Sequence, residues 1–203
     1  MNNVKDLQTI EETLKYLQFD NWEQSAPGLA RSRELLGLLG NPEQKLKFVH
    51  IAGTNGKGST AAMLASVLQH AGYRTGLYTS PHLLRFHERM RVNGEEIDDN
   101  SLISLTNTVR NAAERMSEMP TGFEIMTAIA FLYFVQEQCD IVSLEVGLGG
   151  RLDSTNVIDP PECAVITALG MDHVKELGPT IADIAAAKAG IIKPGSPVVS
   201  YGG

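Results

Sequence analysis

Between Phe48 and Leu68 three patterns follow one another without a gap. Phe48-Val49-His50-Ile51 is an apolar run of the kind that forms a buried strand. Ala52-Gly53-Thr54-Asn55-Gly56-Lys57-Gly58-Ser59-Thr60 is a glycine-rich turn, and Ala61 to Leu68 reads as a helix. A strand, such a turn and a helix N-terminus, in that order, make a cradle for polyphosphate. Glycines let the backbone approach the anion, and the unpaired N–H groups of the first helical turn point at it. Thr54, Asn55, Gly56, Lys57, Gly58, Ser59 and Thr60 are therefore the expected nucleotide-binding residues. Lys57 adds a mobile positive charge, and Ser59 or Thr60 is placed to reach a magnesium ion. The spacing departs from the general phosphate-loop pattern. Gly53 lies only three positions before Gly56, and Gly58 separates Lys57 from Ser59.

The rest of the chain alternates strand and helix signals. Residues 6–18 carry Leu7, Ile10, Leu14 and Leu17 on one helical face, and Arg31 to Leu39 forms a second helix stopped by Gly40-Asn41-Pro42. Strands are expected at Thr75 to Thr79, Asp140 to Val146, Cys163 to Ala168 and from Pro197. A hairpin is expected around the Asn93-Gly94 turn. Helices are expected over 98–118, Phe123 to Gln138 and Ile181 to Lys188. This order predicts an α/β domain, a mostly parallel sheet with helices on both faces. Functional residues then belong at the C-terminal ends of the strands, where Gly53–Ser59, Ser80, Glu145 and His173 each follow an apolar run.

Several of these residues have chemistry in reach. Glu145 ends a strand and opens the glycine-rich stretch Val146-Gly147-Leu148-Gly149-Gly150, where a magnesium ligand is expected beside a phosphate loop. Thr79-Ser80-Pro81-His82 ends another strand, and by itself reads as a turn. Met171-Asp172-His173 follows a third. Lys188 sits at a helix C-terminus, which alone is favourable to the helix dipole by ~0.3–1 kcal/mol. Pro81 to Arg91 holds Arg85, Arg89, Arg91, His82 and His87 against the single acid Glu88. That is either a solvated basic loop or a flap for anionic substrate groups. Phe123 reads equally as a core aromatic or as a ring that stacks on a substrate.

These motifs resemble the folate branch of the Mur ligase superfamily, the folylpolyglutamate synthases and bifunctional dihydrofolate synthases. The likeness runs from Pro27 to about Ser200. It rests on Gly56-Lys57-Gly58-Ser59, on the run Leu144 to Asn156, on Thr121-Gly122-Phe123-Glu124, and on Ser80, His173 and Lys188 in the same order. The resemblance implies a P-loop-type nucleotide-binding domain of the Mur ligase kind. Residues 1–203 would be its N-terminal ATPase domain, with a C-terminal glutamate-binding domain lying outside this chain. It implies two magnesium sites, one held by Ser80 and Glu145 and one by Glu145, His173 and a carbamylated Lys188. Lys57, Glu145, His173 and Lys188 would be the catalytic residues. Thr121, Gly122, Phe123, Glu124, Leu152, Asp153, Ser154 and Arg89 would bind the pterin-bearing substrate, and the segment Ala26-Pro27-Gly28-Leu29 would border it. The implied reaction is ATP-dependent ligation of L-glutamate to folate or dihydropteroate through an acyl phosphate. The alternatives are a nucleotide-binding module without ligase chemistry and a Mur-type cell-wall ligase.

Composition narrows the partners. A net charge of −7 argues against a general nucleic-acid or membrane-surface role, which favours a basic face. No run approaches the ~18 apolar residues of a membrane span, and Met1 to Asp6 lacks a hydrophobic signal core. Cys139 and Cys163 are not at metal-ligand spacing and read as reduced structural residues. A monomer in the cytoplasm is the expectation.

Overall fold

The fold is that of a computed structural model, which describes residues 6–18 and 28–201. Ala26 and Pro27 of the expected substrate border therefore lie outside the described residues. The elements run in the order α1 (Ile10–Leu17), α2 (Ala30–Leu38), β1 (Phe48–Ala52), α3 (Lys57–His70), β2 (Thr75–Tyr78), β3 (Met90–Val92) and β4 (Glu95–Glu96). They continue with α4 (Asp99–Ala113), α5 (Gly122–Gln136), β5 (Ile141–Glu145), β6 (Cys163–Ile166), α6 (Val174–Leu177), α7 (Ile181–Ala189) and β7 (Val198–Ser200).

The sheet is ordered β4-β3-β2-β5-β1-β6-β7. The five strands from β2 to β7 in that order are parallel, with Ile51 level with Glu145 on one side and Val165 on the other. β3 and β4 extend one edge antiparallel through the tight turn at Asn93 and Gly94, both at positive φ. Asn-Gly supplies the two left-handed positions such a turn needs. The parallel strands read as unbroken apolar runs because both faces are covered.

Alternate residues of β1 enter different cores, as the two-residue period requires. Val49 and Ile51 pack with Ala61 and Ala65 of α3 and with Leu77. Phe48 faces the other way, into the main core with Tyr78, Leu144 and the apolar length of α5. Ala52 shares that second face with Val146, Ala164 and Ile191. α5 is buried along most of its length, which explains why it carries no polar stripe. Its N-terminus is closed by a capping box. Thr121 Oγ1 accepts from the Glu124 amide at 3.2 Å, and Glu124 Oε2 accepts from the Thr121 amide at 2.7 Å.

Helix ends differ from the sequence expectation by a few residues. α1 begins at Ile10 because Thr9 and Glu12 form a capping box there. α4 stops at Ala113, five residues short of the expected end, where the amides of Arg115 and Met116 turn inward onto the Ala112 and Ala113 carbonyls. Short helical turns over Pro42–Lys45, Phe86–Arg89, Ser154–Val157 and the brief α6 carry too few residues to show a period.

Candidate nucleotide and substrate site

The turn after β1 is built around two glycines. Gly56 is the N-cap of α3, with φ 82 and ψ 2, a left-handed geometry that a side chain disfavours. Gly53 lies so close to Thr167 that a Cβ there would stand 1.8 Å from Thr167 Oγ1. No side chain caps α3 and no acid lies in its first turn. The first-turn amides are thus left for an external acceptor, and their partial positive charge favours an anion.

The far wall of this turn comes from the segment after β6. The Thr54 and Asn55 amides both donate to the Ala168 carbonyl, at 2.9 and 3.3 Å. Thr54 Oγ1 donates to the Gly170 carbonyl and accepts from the Gly170 amide, each at 3.1 Å. Thr167 Oγ1 donates to the Asn55 carbonyl at 2.9 Å. None of Thr167, Ala168 and Gly170 carries a sequence signal for this clamp, because their pairing depends on β6 lying beside β1.

Two lysines reach carbonyls of the same turn. Lys57 Nζ lies 3.4 Å from the Thr54 carbonyl, and Lys188 Nζ donates to the Gly53 carbonyl at 2.8 Å. Lys188 is buried. Desolvation first, and then the charge of Lys57, push its ammonium below the ordinary lysine range. Glu145 is also buried and stands next to the first turn of α3, with Oε2 3.3 Å from where a Gly58 Cβ would be. Burial raises its carboxyl, an effect opposed by the Ser80 amide, Lys57 and Arg89. The Ser80 amide donates to Glu145 Oε2 at 3.0 Å, which brings the two residues side by side.

His173 is placed differently. It is the N-cap of α6 in a left-handed conformation, its side chain is 53% exposed, and its contact is with Asp172 at 3.6 Å. Among the described residues no hydrogen bond or ion pair joins His173 to Glu145 or Lys188. Nor does any group of three or more His, Cys, Asp or Glu side chains converge on one point there.

The residues expected around the pterin gather beside the glycine-rich stretch after β5. The half-buried Phe123 ring leans on Tyr78 at 6.2 Å and occupies the space over Gly147, where a Cβ would come within 2.4 Å of it. Gly122 opens α5 and is buried, and Leu152 is 54% exposed. Ser154 Oγ shares a hydrogen bond with Thr127 Oγ1 at 2.9 Å. The acidic groups are already engaged. Asp153 Oδ1 accepts the Thr155 amide and hydroxyl, and Oδ2 accepts the Leu148 amide at 2.8 Å. Glu124 takes Arg31 Nε at 3.1 Å and Ser32 Oγ at 3.3 Å besides its capping bond. Arg31, buried and also paired with Glu118, was not singled out in the sequence because its partners lie some ninety residues away.

In the basic loop, Arg85 and Arg91 both pair with Glu96, at 3.2 and 3.4 Å. Glu88 gathers the Leu83, Leu84 and Arg85 amides at 2.8 to 2.9 Å, so the loop is internally ordered. Arg89 is half-buried, donates to His82 Nδ1 at 3.0 Å and lies over the Phe86 ring. It is the arginine of this loop whose charge acts on Glu145.

A parallel sheet that ends in an uncapped helix start, with a buried carboxylate opposite, defines a nucleotide-binding α/β domain of the phosphate-loop class. Residues 51–198 match the Mur ligase middle domain. The dihydrofolate synthase/folylpolyglutamate synthase of Bacillus subtilis is 50% identical over 179 residues, covering 86% of this chain and 41% of that protein. The folylpolyglutamate synthase of Lacticaseibacillus casei is 44% identical over 200 residues, covering 93% of this chain and 45% of that protein. Among solved structures, an FPGS–AMPPCP complex superposes with a TM-score of 0.88 at 44% identity, covering 95% of this chain and 48% of that one. E. coli FolC in complex with DHPP and ADP superposes with a TM-score of 0.88 at 38% identity, covering 95% and 46%. The chain belongs to the Mur ligase family, in its folylpolyglutamate and dihydrofolate synthase branch. It spans about half the length of the curated relatives it matches.

Proposed function

We propose that the protein to which this chain belongs is an ATP-dependent ligase that joins L-glutamate to folate or dihydropteroate. Residues 1–203 act as its nucleotide and pterin domain. The observation that carries this reading is the uncapped start of α3 facing buried Glu145, with Phe123 of α5 and Asp153 packed together over Gly147 two residues beyond that carboxylate. The relatives solved with AMPPCP, with ADP and with DHPP support it. The glutamate site is assigned to the part of those longer chains that this one does not match.

The substrate carboxylate attacks the γ-phosphorus of ATP, the bond to ADP breaks, and an acyl phosphate forms. The amine of glutamate then attacks the acyl carbon, loses a proton, and phosphate leaves as the amide forms. This chain's part is positioning and charge neutralisation. The first-turn amides of α3 and Lys57 hold the β- and γ-phosphates. Thr54 and Asn55, clamped to Ala168 and Gly170, keep the turn in shape for them. Arg89 places a positive charge near the reacting carboxylate. Phe123 and Leu152 supply the apolar wall for the pterin.

Glu145 and Ser80 are the residues for a magnesium ion, Glu145 being a buried carboxylate that stands beside the phosphate cradle. When bound, the ion would offset phosphate charge. His173 and Lys188 are the residues for a second ion. Lys188 suits that role only as a carbamate, which forms from the neutral amine that burial and Lys57 favour. Carbon-13 bicarbonate should label one lysine carbamate in the native protein and none in Lys188→Ala. No helix among the described residues is long and apolar enough to cross a membrane. The functional test is ADP release by the full-length protein, with dihydropteroate, tetrahydrofolate and Mur precursors compared in the presence of glutamate. Turnover without any pterin substrate, or with a Mur precursor alone, would replace the reading.

A further inference from the structure

His50 lies at the centre of β1, fully buried, and the reaction proposed above gives it no part. Its Nε2 is 2.9 Å from Thr155 Oγ1, and its Nδ1 has no hydrogen-bond partner. Thr155 Oγ1 is in turn bonded to Asp153 Oδ1, which also takes the Thr155 amide at 3.0 Å. Asp153 Oδ2 takes the Leu148 amide at 2.8 Å. Strand β1 and the loop of residues 148–155, more than a hundred positions apart, are thus threaded on one chain of hydrogen bonds.

The direction of that chain follows from what each group can donate. Burial raises the Asp153 carboxyl, but the Thr155 hydroxyl and the Leu148, Thr155 and Gly147 amides all donate to it and oppose that shift, and a carboxylate so held only accepts. Thr155 has one hydroxyl proton, and it goes to Asp153. The bond between Thr155 Oγ1 and the imidazole must then be donated by His50. That places the ring proton on Nε2 and leaves Nδ1 as a bare lone pair. The reverse polarity needs a protonated Asp153 and an Nδ1–H buried without an acceptor, and orphaned buried N–H groups are rarer than orphaned acceptors. The unpartnered Nδ1 is therefore what this tautomer predicts. Burial disfavours a second proton on the ring, and the charge of Lys193, whose Nζ holds the Asn156 carbonyl at 3.2 Å, adds to that effect.

We infer that His50 is a positioning residue for the substrate loop: donating through Thr155, it holds Asp153 as a pure acceptor that closes residues 147–153 onto β1. This rests on the reading of that loop as the pterin side of the site. The consequence is that Asp153 shapes the loop through its own amides, and that the loop's shape is set from the core of the sheet. A second tie, from Ser154 Oγ to Thr127 Oγ1 and on to Tyr78, anchors the same loop to α5 and β2. His50 is what links it to the strand that carries the phosphate turn.

The test uses the full-length protein labelled with nitrogen-15 at histidine. Long-range proton–nitrogen spectra should show one neutral ring protonated at Nε2, unchanged from about pH 5 to about pH 8, and lost in His50→Gln. A ring protonated at Nδ1, or one that titrates in that range, overturns the inference. In kinetics, His50→Leu and Thr155→Val should raise KM for the pterin substrate roughly tenfold, the equivalent of one hydrogen bond. KM for ATP and kcat should stay near native. His50→Gln puts an amide donor near the Nε2 position and should recover most of the loss. Equal damage from Gln and Leu, or losses shared between pterin and ATP, would show a packing role and defeat the proposal. Should the native protein show no pterin-dependent turnover, the functional reading fails. The ring tautomer, with faster amide exchange at Leu148 and Thr155 in Thr155→Val, then decides the inference by itself.

Discussion

Lys57 and Lys188 reach adjacent carbonyls of one turn, Thr54 and Gly53. Their expected behaviour differs. Lys57 is half-buried at the first position of α3 and has only a long bond to hold it, so it is free to move to a phosphate. Lys57→Ala should lower ATP turnover by about 10²–10³-fold, the range for removing one preorganised charge donor. Circular dichroism should be unchanged, and near-native turnover would remove Lys57 from the chemistry. Lys188 is buried and its ammonium is pushed down by desolvation. Between its folded pKa and the ordinary value of 10.5, the unfolded chain binds more protons than the folded one. Stability therefore gains from this group as pH rises through that window, and a penalty remains below it. Urea melts in carbon-dioxide-free buffer should show Lys188→Met ahead of the native protein at neutral pH, with the gap closing toward alkaline pH. A gap that widens with pH contradicts the sign.

Among the elements, α5 joins stability to the site. Thr121-Gly122-Phe123-Glu124, expected from the resemblance to border the pterin, also carries the capping box of this helix. Glu124 has two duties, closing the helix start and holding Arg31 of α2. The two can be separated. Thr121→Ala removes one cap acceptor and should cost ~1 kcal/mol. Glu124→Ala also deprives a buried guanidinium of a partner, and should cost about 3 kcal/mol or more. Chemical denaturation compares them. Equal costs would mean that the other partners of Arg31, Glu118 among them, are enough to hold it. Through this pair, α2 is fastened to the helix that carries Phe123.

At the scale of the molecule the sheet is asymmetric. Among the described residues α3 covers one face of the central strands, while α5, α4 and the turn after α7 cover the other. One edge strand, β4, is two glutamates, whose charge discourages pairing with another chain. At the other edge, Val198, Val199 and Tyr201 are 45%, 58% and 73% exposed. The relatives act as chains about twice this long. Residues 1–203 alone are therefore expected to bind ATP weakly and to release no glutamate-dependent product. Product from the isolated chain would place the glutamate site within these residues.

The elements themselves were legible because they are local. The apolar runs of β1 and β5, the Asn93-Gly94 turn and the glycines before α3 each state their geometry within a few residues of sequence. The glycine-rich turn before α3 was placed by its strand and helix flanks, and the ends of β2 and β5 lie side by side, so that the Ser80 amide reaches Glu145. What the pattern could not contain was the partner of each polar group. Lys188 finds Gly53 across 135 positions, His50 finds Thr155 across 105, and Arg31 finds Glu124 across 93. Such pairs are made by the strand order β2-β5-β1-β6 and by the packing of α2 on α5, which no local period encodes. The same reason separates the two acids of the pterin loop from the roles their positions implied. Asp153 and Glu124 were recognisable as carboxylates near a substrate. Only the folded chain, by bringing loop amides, Arg31 and Ser32 against them, decided that their oxygens would first be used to hold the site together.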